Sequence, residues 1–107
     1  MEAIARSRFV RYAPRKVNQV LTLIRNKKYP QALSILSVCP KRASRLVKKV
    51  LAAARANLGK NINEDKVKVA MAYCTQGPYL KRMRPGPQGR AMLYRRKTSH
   101  LTIMLRG

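Results

Sequence analysis

Three carboxylates, Glu2, Glu64 and Asp65, stand against 25 lysines and arginines, which leaves 107 residues with a net charge of +22. No fold of this chain can pair its cations internally, because at most three of them find a side-chain carboxylate. Self-repulsion on this scale opposes a compact state, so the chain is suited to a polyanion that neutralises it. It is not merely a disordered basic tail: 46% of the residues are hydrophobic, enough to fold part of the chain. The length fits one domain, or one domain with an appendage.

The same scarcity excludes chemistry. Three carboxylates, two of them adjacent, do not readily supply an acid/base pair facing one site. His100 is the single histidine, and Cys39 and Cys74 lack C-x-x-C spacing, so neither a metal site nor a cofactor is expected. The two thiols read as small buried hydrophobes in a reducing compartment. No apolar run approaches the ~20 residues of a membrane span. The stretch Met1-Glu2-Ala3-Ile4-Ala5-Arg6 lacks the apolar block of a secretory signal and reads as a cytosolic start. The glycines form neither a P-loop nor a dinucleotide fingerprint. Gly86-Pro87-Gln88-Gly89 matches the GXXG clamp formally, but it lies between strand-like segments.

Prolines punctuate the first half. Residues 3–12 mix Ile4, Phe9, Val10 and Tyr12 with Arg6, Arg8 and Arg11, which fits a short strand. Pro14 stands where a helix can begin, and Val17, Val20, Leu21 and Ile24 follow on one helical face. Pro30 opens a short second helix. Pro40 opens a third, expected over 41–58, with Ala43, Leu46, Val47, Val50, Leu51, Ala54 and Leu58 on one stripe and Lys41, Arg45, Lys48, Lys49 and Arg55 opposite. Gly59 closes it, and Asn61-Ile62-Asn63-Glu64-Asp65 connects to a strand over 67–74, where Val67, Val69, Met71 and Tyr73 alternate with Lys68, Ala70 and Ala72. A last strand is expected over 101–106.

Between those two strands lies an acid-free segment of another kind. Lys81, Arg82, Arg84, Arg90, Arg95, Arg96 and Lys97 interleave with Tyr79, Leu80, Met83, Met92, Leu93 and Tyr94, and Pro85-Gly86-Pro87-Gln88-Gly89 marks a central turn. Strands on both sides predict a long hairpin of about ten residues per arm, reaching roughly 30 Å at ~3.3 Å per residue. A two-stranded ribbon is marginal alone and needs a partner. The expected fold is α+β: a small antiparallel sheet packed on three helices, with a long projecting β-hairpin. Residues 1–78 and 98–107 would form the body, and 79–97 the hairpin.

The cations expected to meet nucleic acid are Arg6, Arg8, Arg11, Arg15, Lys16, Lys41, Arg42 and those of the hairpin. Arg15-Lys16 and Lys41-Arg42 follow Pro14 and Pro40, where helix starts favour anions, so phosphates are expected there. Thr98, Ser99 and His100 join them as hydrogen-bonding residues, with local structural bonding as the other reading of each. Tyr12, Tyr79 and Tyr94 either stack on bases or pack on the body. Charge alone would equally suit a sequence-independent DNA-compacting protein, although the one long asymmetric hairpin is unlike small repeated or dimeric DNA-binding units. An RNA-processing enzyme would need a His or carboxylate pair.

The sequence also resembles a known family, the bacterial-type large-subunit ribosomal protein twenty-two. Arg11-Tyr12-Ala13-Pro14-Arg15-Lys16-Val17, Leu23-Ile24-Arg25-Asn26-Lys27 and Gln31-Ala32-Leu33 are similar to its first two helices, and Leu46-Val47-Lys48-Lys49-Val50-Leu51 with Ala54-Arg55-Ala56-Asn57 to its third. Gly77-Pro78, Leu80-Lys81-Arg82, Pro85, Gly89-Arg90-Ala91 and Arg96-Lys97-Thr98-Ser99-His100-Leu101-Thr102 fall in register with its hairpin and last strand. Four features depart from it: Ala13 stands in place of a serine at a helix N-cap, Tyr73-Cys74-Thr75-Gln76 lacks acids, the tip Gly86-Pro87-Gln88 lacks basic residues, and Met92 and Leu93 are unusual as hydrophobic residues. The resemblance implies binding of large-subunit ribosomal RNA, a part in subunit assembly, neighbouring ribosomal proteins as partners, and a hairpin along the peptide exit tunnel. It implies that Met83, Pro85, Gly86, Pro87, Gln88, Gly89, Arg90 and Met92 form a tunnel tip near the nascent peptide. The implied compartment is the bacterial cytoplasm, with an organelle of bacterial ancestry as the alternative.

Overall fold

The structure, a computed structural model, describes residues 2–59 and 63–107. Asn61 and Ile62 of the expected loop lie outside the described residues, as do Met1 and Lys60. In chain order the elements are β1 (Glu2–Val10), α1 (Pro14–Ile24), α2 (Tyr29–Val38), α3 (Ala43–Asn57), β2 (Lys68–Gln76), β3 (Leu80–Pro85), β4 (Ala91–Arg96) and β5 (Ser99–Arg106). Short 3-10 turns at Glu64–Lys66 and Pro87–Gly89 precede β2 and form the hairpin tip.

The body is a three-stranded sheet in the order β1-β5-β2, both pairs antiparallel. β5 is therefore central, and Leu101, Ile103 and Leu105 on it are fully buried. The helices cover that face. Each contributes the stripe expected of a 3.6-residue period: Val17, Val20, Leu21 and Ile24 from α1, Ala32 and Leu36 from α2, and Val47, Val50, Leu51 and Ala54 from α3. Every fully buried Leu, Ile or Val contributes on the order of 1.5–3 kcal/mol of apolar transfer. Gly59, at φ 98°, ends the helical segment in a conformation that a side chain would oppose.

Three expectations are corrected. α3 begins at Ala43, not at 41, because the Lys41 carbonyl accepts the Ser44 amide at 3.1 Å and the Ser44 hydroxyl at 2.7 Å, closing a separate turn after Pro40. The core face of β2 also changes side. Val69 pairs with Leu105 but Met71 with Met104, so Ala70 is an extra residue, a bulge that turns Ala72 and Cys74 inward and leaves Met71 49% exposed. Tyr73, expected to share a face with Val69, is exposed as well.

The third correction concerns the hairpin, whose paired arms are six residues each, from Leu80 opposite Arg96 to Pro85 opposite Ala91. It prolongs the β2–β5 pair through a root where the Gly77 amide donates to the Thr98 carbonyl at 2.9 Å and the Thr98 hydroxyl donates to the Pro78 carbonyl. The hairpin projects: the molecule measures 62 × 24 × 18 Å and its radius of gyration is 16.8 Å, against about 13 Å for a compact chain of this length.

Candidate nucleic-acid interface

The sheet order brings the end of β1 beside the start of β5, where the hairpin leaves the body. The link from β1 to α1, the link from α2 to α3 and the hairpin root meet there. Two adjoining concavities of about 500 and 490 Å³ open between them and share Arg11, Ala13, Lys16 and Arg96. Arg82, Arg95 and Lys97 line the first; Lys41 and Arg42 line the second. Eight of the expected cations thus converge, and among the described residues no acidic side chain lines either hollow.

Local chemistry keeps this place positive. Ala13 offers no side-chain cap to α1, Pro14 is at its start, and the first turn has no acid. The helix dipole therefore adds to the charge of Lys16 and Arg15 rather than being offset. Arg15 faces a shallower neighbouring depression with Gln19 and Lys41, whose ammonium donates to Gln19 Oε1 at 3.2 Å. The carboxylates are far off. Glu2 and Lys68 both stand opposite Arg106, and Glu64 and Asp65 directly precede β2, so all three acids gather at the other end of β5. Eight residues of strand, roughly 25 Å, separate that end from the hairpin root. The ion pairs there, Arg106 to Glu2 at 2.7 Å and Arg55 to Glu64 at 3.0 Å, use none of the interface cations.

The tyrosines hold arginines. Arg95 lies 4.6 Å from the Tyr79 ring centre, while Arg84 and Arg96 lie 5.2 and 5.5 Å from that of Tyr94. Arg42 is 6.0 Å from that of Tyr12. Such contacts cost little and pre-set flat guanidinium planes, which can stack on bases themselves. Along the hairpin the pairing register sorts side chains by face. Arg82, Arg84, Tyr94 and Arg96 share one, and Met83, Pro85, Ala91 and Leu93 share the distal part of the other. Met83 and Leu93 are 66% and 58% exposed.

The remaining expected residues lie elsewhere. Arg6 and Arg8 are on β1, Lys81 is opposite Arg95, and Arg90 leaves the tip. Gly86, Pro87, Gln88 and Gly89 make the turn itself, with Met92 against Gly86. Thr98 and Ser99 are buried, whereas His100, on the sheet face opposite Ser99, is half-buried. The Thr98 hydroxyl is used at the hairpin root, and Ser99 is fully buried beside Cys74, out of reach of a macromolecule. Burial raises the pKa of the Cys74 thiol, and the Ser99 hydroxyl offsets part of that rise. His100 Nδ1 accepts the Phe9 amide at 3.1 Å. Motif reading missed the residues that orient α1. Asn18 exchanges two 3.2 Å hydrogen bonds with the Cys74 backbone, and Arg25 donates to the Ala72 carbonyl at 2.9 Å.

Residues 5–106 match the model of the family described as Ribosomal protein L22p/L17e. The chain belongs to this family. It is 54% identical over 105 residues to the large ribosomal subunit protein uL22 of Endomicrobium trichonymphae, covering 98% of this chain and 91% of that protein. It is 48% identical to the uL22 protein of Caldicellulosiruptor saccharolyticus, with 98% and 88% covered. With that of Thermoanaerobacter sp. strain X514 the identity is 49%, over 99% of this chain and 97% of its relative. The family is one of ribosomal structural proteins, not of enzymes. Among the described residues no helix is long and apolar enough to cross a membrane.

Proposed function

We propose that this chain is a structural constituent of the large ribosomal subunit in the bacterial cytoplasm. It binds large-subunit RNA at the acid-free hollows, aids subunit assembly, and lays its hairpin along the peptide exit tunnel beside neighbouring ribosomal proteins. The observation that carries this reading is the convergence of Arg11, Lys16, Lys41, Arg42, Arg82, Arg95, Arg96 and Lys97 from separate segments, with every carboxylate at the opposite pole. Cations so placed neutralise phosphates and release counterions. Several RNA segments held at one such junction are tied together, which is the assembly role. Arg6, Arg8, Arg15, Lys81, Arg84 and Arg90 extend the contact over β1, α1 and the hairpin. The body, 1–78 with 98–107, folds by itself, and 79–97 is the arm that RNA supports.

The tip is given a different duty. Met83, Met92, Pro85 and Gly86-Pro87-Gln88-Gly89 carry no charge, so they shape a wall for the nascent peptide rather than bind phosphate. The test of the whole reading is cosedimentation with bacterial large subunits through a high-salt wash, paired with affinities for deproteinised large-subunit RNA and for duplex DNA at matched salt. Retention on the subunit and preference for the RNA are expected. Release in the wash with equal affinity for DNA would overturn the reading.

A further inference from the structure

Phe9 is the chain's single phenylalanine, and it is 62% exposed. It sits where β1 pairing slips by one residue between Ser7 and Val10, and its φ is 57°. Left-handed backbone is uncommon for bulky residues, and glycine or asparagine ordinarily occupies it. The conformation is held from β5: the Phe9 amide donates to His100 Nδ1 at 3.1 Å, and the two rings meet edge to face at 4.8 Å and 89°. A strained, anchored conformation that turns an aromatic ring outward points to a use for that ring.

The surroundings say what kind of use. Arg8 and Arg11 flank it, both exposed, and the strand's one acid is Glu2 at its far end. An apolar protein surface laid here would have to neutralise those cations. A single-stranded nucleotide brings a flat base for the ring and a phosphate for the arginines together. We propose that Phe9, fixed by His100, is a stacking platform for one unpaired base of the bound RNA. This site is additional to the hollows of the hairpin root and rests on the RNA-binding reading above. It also makes His100 a positioning residue.

The test uses the full chain and deproteinised bacterial large-subunit RNA, with affinity measured across a salt series. F9A and F9L should each weaken binding by about 5- to 150-fold, the range for one lost base stack, with the salt slope unchanged because no phosphate contact is removed. F9Y should bind as the parent does. F9G, which relaxes the left-handed residue and so should fold at least as well, should lose the same affinity. H100A should weaken binding, and F9A/H100A should be no weaker than F9A alone. Parent-like affinity of F9A, or of F9L, would overturn stacking. Absence of salt-dependent binding by the parent chain would instead remove the RNA-binding reading on which stacking rests.

Discussion

Replacing Arg95, Arg96 and Lys97 together by alanine removes the densest cationic run of the interface. All three line the hollow at the hairpin root, and Arg96 borders its neighbour too. Each phosphate contact contributes about 0.7–0.9 to the slope of log affinity against log salt, so three lost contacts flatten it by roughly 2–3. Between 50 and 200 mM salt that difference changes the ratio of the two affinities by about 20- to 40-fold. The variant's deficit is therefore largest at low salt and shrinks as salt rises. Shortening the tip between Gly86 and Gly89 is the control, since those residues carry no charge; both affinity and slope should stay near the parent values. Tip-shortened subunits should still assemble, with altered nascent-chain stalling. Salt titration by filter retention measures the first pair of effects and a stalling assay the last. Equal slopes for triple variant and parent, or lost assembly on tip shortening, would refute this division between arms and tip.

Two further outcomes are expected. In Gly77→Ala the added Cβ would stand 2.8 Å from Thr98 Oγ1, an atom tied to the Pro78 carbonyl, so the substitution should cost about 1–3 kcal/mol and lower Tm; adding Thr98→Ala should recover part of the loss, and an unchanged Tm for Gly77→Ala would contradict the close approach. Amide exchange on the free protein should be fast over 80–96, where nearly every residue is exposed, and slow in α3 and β5. Equal protection in both regions would count against RNA-supported folding of the arm.

How much of this was legible beforehand depends on the range of the interactions. The helical stripes were, because Val17, Val20, Leu21 and Ile24 need only a 3.6-residue period to share a face. The hairpin was, because a Pro-Gly turn between two strand patterns has few other solutions. The face of β2 was not. Val67, Val69, Met71 and Tyr73 alternate without a break, and the bulge at Ala70 exists only because β5 pairs out of step there. Pro40 looked like Pro14, yet Ser44 closes a turn on Lys41 before α3 starts. The interface cations were legible one by one from the absence of acids, but their convergence depends on sheet order. Thr98, Ser99 and His100 stood out as polar residues beside a basic run, but Ser99 is buried because β1 and β2 pair on both sides of it, and Thr98 because the hairpin root closes on it. Phe9 read as one more strand residue, since its left-handed backbone leaves no mark in the pattern.

The distribution of charge links folding to binding. β1 and β2 both pair antiparallel with β5, so they run parallel to each other, and their starts lie at the same end of the sheet. Glu2, Glu64 and Asp65 are thereby collected at one pole, where two of them form ion pairs. Every cation at the other pole then repels its neighbours with no carboxylate nearby to relieve it. The repulsion is greatest at the hairpin root, where the chain leaves the cover of the helices and has least buried apolar surface to oppose it. At the acid pole two ion pairs offset part of the charge, and Val69 and Leu105 are fully buried beneath it. Polyanion binding therefore relieves strain where the free protein is weakest, and in the same step it supports the arm that must project. Adding carboxylates at the root would stabilise the free protein and weaken its hold on RNA by the same electrostatic mechanism.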